Sequence, residues 1–349
     1  MGTTSLAHAV PEVQVEDQES RWRQALAPYA EPDLRRSWTC LATSVVPYFA
    51  LMAAMWLLLP VSYALVLLLA IPASGFLVRT FIVFHDCSHG SFMPTKRANT
   101  WVGVFVGLVV YTPFHSWRHE HAQHHASSGD LDRRGQGDVD TWTVAEYRSK
   151  PWLSRLGYRL IRSPFVMFTL GPIWALALAP RIVPLKARPR IRRSHLYTDF
   201  ALIAIVGGII LLIGWQNYLL LQIPTIVMGG AAGVWLFYVQ HQFDDAYWER
   251  SEEWNYVDAA LAGSSYLKLP KVLQFFTGNI GLHHIHHLLA RIPNYNLQRA
   301  HDENQFLHRA PTISLWQGLR SVRLKLYDED SRRMVTFAQA RAGLGARAA

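Results

Sequence analysis

Charge is scarce in this sequence. Only 17% of its 349 residues are Asp, Glu, Lys or Arg, against roughly 25% in soluble domains. Cysteine is scarcer still: Cys40 and Cys87 stand alone, which excludes a disulfide framework and a CxxC metal pair. There is no iron–sulfur cysteine spacing, no GxGxxG turn opening a helix and no haem-binding segment, so the chain has no electron-transfer module of its own. Its first 37 residues lack the basic-then-apolar order of a signal peptide and contain Glu12, Glu16, Asp17 and Glu19. They predict a cytosolic N-terminal tail over 1–37, helical near 18–29.

What is abundant is apolar sequence. Half the residues are hydrophobic, and they gather in long runs. The block at 38–84 is too long for one membrane span, which needs about 20 residues. Pro60-Val61-Ser62 divides it, predicting spans at about 38–59 and 62–84. Its one charge, Arg79, is expected to snorkel to the interface. A second block, 199–243, is broken at Trp215-Gln216-Asn217 and Gln222-Ile223-Pro224, predicting spans at about 199–215 and 223–243. Two shorter stretches, 101–114 and 165–180, suit re-entrant or interfacial helices. The fold class that follows is an all-α integral membrane protein: two transmembrane helical hairpins, four spans in all, with a helical cap on one side.

The formal net charge is +9. A basic chain can bind nucleic acid, but runs of Leu, Val and Ile argue against that partner and for anionic membrane lipid. The two hairpin turns carry no Lys or Arg, whereas Arg181, Lys186, Arg188, Arg190, Arg192 and Arg193 crowd one loop on the other side. The positive-inside rule then puts both termini, 85–198 and 244–349 in the cytoplasm, at the cytoplasmic (inner) membrane. The membrane domain is expected over 38–310, followed by a cytosolic C-terminal tail at 311–349.

Histidine is the other excess. Of sixteen, twelve fall in four places, all at the predicted cytoplasmic ends of the spans. His85 and His89 form HxxxH. His121, His124 and His125 form HxxHH, and His283, His286 and His287 repeat it. On helices each set shares a face. His241 ends the fourth span; taken alone it reads equally as an interfacial anchor. Packing all these rings without a ligand would leave many imidazoles short of hydrogen-bond partners. Nine imidazoles exceed one metal's needs and suit two, with four or five nitrogens each. Imidazole binds Zn, Cu, Fe and Ni; a redox pair with room for oxygen points to iron, with zinc open. His284 sits about 100° from His283 on a regular helix and is expected behind the ligands or facing substrate.

Ligating imidazoles usually donate their second N–H to a carboxylate or carbonyl. Asp86, Glu120, Asp130, Asp132, Asp138, Asp244 and Asp245 are near enough to be considered, though each reads also as a solvated loop charge. Trp117, Trp142, Trp152, Trp235 and Phe237 are possible liners of an apolar channel, and equally core or interfacial aromatics.

The three histidine motifs resemble the histidine boxes of membrane fatty acid desaturases, most closely the bacterial acyl-lipid, delta-12-like type. Gly129-Asp130-Leu131-Asp132-Arg133-Arg134-Gly135, Tyr238-Val239-Gln240-His241-Gln242-Phe243 and Arg291-Ile292-Pro293-Asn294-Tyr295 are similar to segments flanking those boxes. The similarity covers roughly 75–305. It implies two iron ions held by His85, His89, His121, His124, His125, His241, His283, His286 and His287. It also implies O2 as co-substrate, a fatty acyl lipid as substrate, and removal of two hydrogens from the acyl chain to leave a cis double bond. A separate electron donor is implied, a ferredoxin or a small cytochrome with its reductase. Asn279, four residues before His283, is a possible holder of a metal-bound water. The competing expectation is a membrane di-iron hydroxylase or ketolase acting on lipid, alkane or carotenoid.

Overall fold

The computed structural model describes residues 21–135, 137 and 139–347. Expectations for residues 1–20 and for Asp138 lie outside the described residues. Four helices are long and apolar enough to cross a membrane: α1 (Leu34–Leu58), α2 (Tyr63–His89), and, after intervening elements, Pro189–Ile213 and Trp215–His241. The protein is a multi-pass membrane protein. At ~1.5 Å per residue, the 27 residues of α2 make a rod about 40 Å long, roughly 10 Å more than the hydrocarbon core. That leaves length for its last turns, which carry His85 and His89, to stand outside the apolar layer.

Between the hairpins lie α3 (Lys96–Val109), α4 (Phe114–Ser127), α5 (Val144–Ser149) and α6 (Trp152–Ile161). With 14 residues, α3 is too short to span. Gly103 lets it approach α4 closely, since a Cβ there would meet the Phe114 ring at 2.2 Å. After α6 the chain bends by 54° into the apolar segment Val166–Arg181, as a broken span or a re-entrant loop would. The second hairpin is α7 (Pro189–Ile213) and α8 (Trp215–His241). Beyond it come α9 (Tyr256–Ala262), α10 (Lys271–Phe276), α11 (His283–Leu288) and α12 (Asn294–Glu303).

Several boundaries differ from the sequence expectation. α1 starts at Leu34, because Asp33 caps it by accepting from the Arg36 N–H at 2.8 Å. α7 starts ten residues before Asp199, its basic first turns being helical. The second hairpin turns at Gly214 alone, with φ +84°, and α8 runs unbroken through Pro224. A proline removes the donor for the carbonyl four residues earlier. That carbonyl, of Leu220, accepts from the Tyr63 hydroxyl of α2 at 3.3 Å, so the helix continues. Arg79 has a protein partner at the far end of α2. It donates to the Phe275 carbonyl at the end of α10, and its guanidinium lies 4.0 Å from the Phe275 ring.

Small residues bring α2 and α8 together, as in other membrane helix pairs. The Ser74 hydroxyl donates to the Thr225 carbonyl at 3.1 Å, and a Cβ on Gly229 would lie 3.2 Å from Leu77. Leu211 and Leu212, 89% and 83% exposed, are free to face lipid.

The cap also holds five strands of two or three residues among the described ones. β1 (Trp142–Thr143) pairs in parallel with Leu326–Asp328 (β4), which pairs antiparallel with Arg333–Val335 (β5). β2 (Tyr266–Lys268) pairs in parallel with β3 (Thr312–Ser314). Residues 312–314, 326–328 and 333–335, which fall in the segment expected as a C-terminal tail, take part in the cap's sheets.

This packing buries two cations that have no carboxylate partner among the described residues. Arg162 donates to the Asp140 carbonyl (2.7 Å), the Tyr238 hydroxyl (3.1 Å) and Gln242 Oε1 (2.9 Å). Lys325 Nζ sits 3.6 Å from Met167 Sδ and 5.1 Å from the Tyr238 ring centroid. Burial, then the Arg162 charge, pushes Lys325 from the ordinary 10.5 down to about 7. Between those values the unfolded chain binds the extra proton, so this residue makes stability rise with pH across that window, and its penalty is fully present below pH 7. Lys325→Met is expected to flatten the rise in thermal midpoint of the detergent-solubilised protein. An unchanged slope relative to the parent chain would show that Lys325 is not the group responsible.

Candidate metal centre

Four elements deliver histidines to one end of the bundle. α2 ends at Gly90 in the left-handed conformation, which stops the helix directly after His89. α4 lies across that end, α8 terminates in His241, and the short α11 carries the last set. The nine expected imidazoles all meet there, in two groups. His85, His89, His121, His125 and His286 form one; His124, His241, His283 and His287 form the other. Within each group the candidate ligand atoms lie within 4.8 Å of one another. The groups adjoin, with the His125 and His287 rings stacked at 4.2 Å.

The HxxHH motifs are therefore divided, contrary to the single-face expectation. His121 and His125, at i and i+4, stay together, as do His283 and His287. The i+3 members cross over: His124 joins the α11 pair and His286 joins the α4 pair. Positions i+3 and i+4 lie about 60° to one side and 40° to the other of position i. A helix wedged between two sites supplies both.

The nitrogens fit cations. His125 Nε2 is 3.1 Å from His121 Nε2 and 3.0 Å from His286 Nε2. His283 Nε2 is 3.0 Å from His241 Nε2 and 3.1 Å from His287 Nε2. One ring nitrogen has either one proton or one lone pair, so it satisfies only one such neighbour. Among the described residues, His89 Nε2 is buried without a hydrogen-bond partner. A shared cation resolves these contacts: at a metal–nitrogen bond of ~2.1 Å, ligands at right angles are about 3.0 Å apart, and tetrahedral ones about 3.4 Å. Burial first, then the neighbouring imidazoles, holds His121, His125, His283, His286 and His287 well below the ordinary imidazole range. They stay neutral, with lone pairs available.

Of the seven acidic residues considered in the sequence, only Asp86 bonds to one of these imidazoles among the described residues. Its Oδ1 lies 3.1 Å from His85 Nδ1, which leaves His85 Nε2 for the cluster. Its Oδ2 accepts from the Asn294 N–H at 2.7 Å and from Asn294 Nδ2 at 2.8 Å. Asn294, 208 residues away, has no local sequence signal for this role. Backbone also serves: the Gly263 carbonyl is 3.2 Å from His241 Nδ1. Asp130 and Asp132 instead order the loop after α4. Asp130 pairs with Arg133 at 2.5 Å and accepts from the Ser251 hydroxyl at 2.9 Å; Asp132 pairs with Arg250 at 2.7 Å. Glu120 accepts from Ser116, and Asp245 pairs with Arg333.

His284 belongs to neither imidazole group. It is fully buried, its ring 6.1 Å from Tyr266 and 5.7 Å from His301. Asn279 Nδ2 donates to the Asn294 carbonyl at 3.0 Å. Of the five aromatics, Trp117 stacks on His121 at 4.3 Å and Phe237 lies 5.1 Å from His124. Trp142 stacks on Tyr158, and Trp235 donates to the Gly318 carbonyl, both apart from the histidines.

Four apolar helices with two adjoining imidazole groups at one end define a multi-pass membrane protein able to hold two metal ions. The family model described as Fatty acid desaturase matches residues 54–315. A Bacillus subtilis protein named fatty acid desaturase is 45% identical over 312 residues, 89% of each chain. Two Synechocystis proteins are more distant. The sn-1 acyl-lipid omega-3 desaturase (ferredoxin) is 32% identical over 63% of this chain and 62% of its own. The sn-1 oleoyl-lipid 12-desaturase is 28% identical over 75% and 72%. The chain belongs to the fatty acid desaturase family and is an enzyme of that class.

Proposed function

We propose that this enzyme uses O2 to place a cis double bond in the acyl chain of a membrane glycerolipid, with two iron ions held by the nine clustered histidines. The observation that carries the reading is the pair of adjoining imidazole groups at the boundary of an apolar bundle. Five imidazoles in the first group exceed the four ligands of a closed zinc site, and neutral imidazoles suit a redox metal. When bound, the irons would supply an oxidant strong enough to take hydrogen from an unactivated methylene.

One CH2–CH2 unit loses two hydrogens and becomes CH=CH. Those two electrons and two more from a separate donor, with the protons, reduce one O2 to two waters. A ferredoxin or a small cytochrome with its reductase is the donor class. The names of the Synechocystis relatives support both a lipid-borne acyl chain and a ferredoxin.

The chain's own residues shape the site. Asp86 and the Gly263 carbonyl fix ring orientation, which sets where each lone pair points. Trp117 and Phe237 cover the imidazoles with apolar surface and keep water out. Both hairpin turns lack Lys and Arg, while the opposite ends are rich in them. That supports a cytoplasmic membrane with both termini and the site on the cytoplasmic side.

The test is fatty acid analysis of a host that lacks dienes, expressing the full chain. Products lighter by two hydrogens are expected. Products heavier by one oxygen would establish a hydroxylase or ketolase instead.

A further inference from the structure

A groove of about 290 Å³ lies on the cap, lined in part by Arg148, Arg155, Arg159, Arg341, Trp152 and Leu156. Among the described residues its lining contains no acidic residue and no member of the histidine clusters. Among the described residues none of the four arginines is ion-paired. Three are held in place by neutral groups, Arg341 by donating from Nε to the Phe337 carbonyl at 3.3 Å. Arg159 Nε donates to the Tyr147 hydroxyl at 2.5 Å, with its guanidinium 4.6 Å from the Phe337 ring. Arg148 donates to the Ala340 carbonyl at 2.7 Å. Trp152, Arg155, Leu156 and Arg159 recur at i, i+3, i+4 and i+7, so α6 presents them on one face.

The groove lies at the edge of apolar surface. α6 exposes Leu153, Leu160 and Ile161 beside it, and exposed Phe165 leads into the bent apolar segment Val166–Arg181. A helix with this pattern lies in the headgroup layer, where arginines meet anions and Trp and Leu meet acyl chains.

We propose that this groove binds the headgroup of an anionic phospholipid, its phosphate among the four arginines and its acyl chains along Trp152 and Leu156. An acidic soluble protein would satisfy the arginines but not the adjoining apolar face, so the lipid is the occupant. The proposal rests on the membrane placement of α6 and not on the chemistry at the histidines.

Native mass spectrometry of the full chain in detergent, offered equal phosphatidylglycerol and phosphatidylcholine, tests it. Preferential retention of phosphatidylglycerol is expected. Arg155→Gln, which loses no hydrogen bond, should weaken that retention roughly fivefold, and Arg155→Gln with Arg341→Gln further, since each basic residue near an anionic surface has about that effect. Metal content and phosphatidylcholine retention should not change, which checks that the variants are folded. Equal retention of the two lipids overturns the proposal, as does an unchanged preference in both variants. Binding of inorganic phosphate without any lipid preference, or capture of an acidic donor protein in place of phosphatidylglycerol, overturns it too.

Discussion

His125→Ala is expected to abolish desaturation and to lower bound iron below two per chain, while the protein still inserts in the membrane. His125 occupies the most demanding position of the nine. Its Nε2 faces two neighbours at hydrogen-bond distance, and its ring stacks on His287 of the other group. Removing it takes a ligand atom from one site and a packing partner from the other. The loss should exceed the 10–100-fold that follows when only a partner behind a ligand is removed. The checks are iron per chain by elemental analysis and fatty acid profiles of the membrane fraction. His284→Ala is the matched control. It removes a fully buried imidazole that faces Tyr266 and His301, so iron should stay bound while thermal stability falls. Full iron and activity in His125→Ala would refute its place in the metal centre.

Asp86→Asn should cost 10–100-fold in metal affinity or activity without removing any imidazole. Asp86 is 2% exposed, and its two oxygens face the His85 ring and two donors from Asn294. An amide supplies one oxygen and one NH2. Turned one way, its NH2 opposes the Asn294 donors; turned the other, it opposes His85 Nδ1–H. A donor against a donor in a buried site costs about 1–3 kcal/mol, and His85 is freed to rotate or change tautomer. Iron titration of the purified variant measures this, and affinity equal to that of the parent would show that the carboxylate charge is not needed. The effect should be smaller than that of His125→Ala and largely confined to the first group.

Much of the architecture was legible in the chain. Long uncharged runs leave a helix few alternatives in a bilayer, so the four spans could be read, with edges off by several residues. Those edges depended on contacts: the Asp33 cap, and the Tyr63 hydroxyl that lets α8 pass Pro224. The cap was harder. Its strands have two or three residues, too short for any period, and β1 pairs with β4 across 184 residues. Arg79 likewise found a partner, the end of α10, that no local pattern announces.

The sequence by itself determined that nine histidines at helical spacing would gather at the ends of four spans, because apolar length places span ends and backbone geometry places side chains. Only the tertiary structure decided how they are shared. His124 and His286 each leave their own motif for the other's, because α4 and α11 meet through their histidine rings, each carrying side chains to both groups. Which carboxylate stands behind an imidazole was decided the same way. Seven acids were near in sequence, but among the described residues only Asp86 bonds to one of the nine imidazoles, its second oxygen satisfied by a backbone N–H and an amide from 208 residues away. Burying a charge next to a metal site requires those donors, and only folding supplies them.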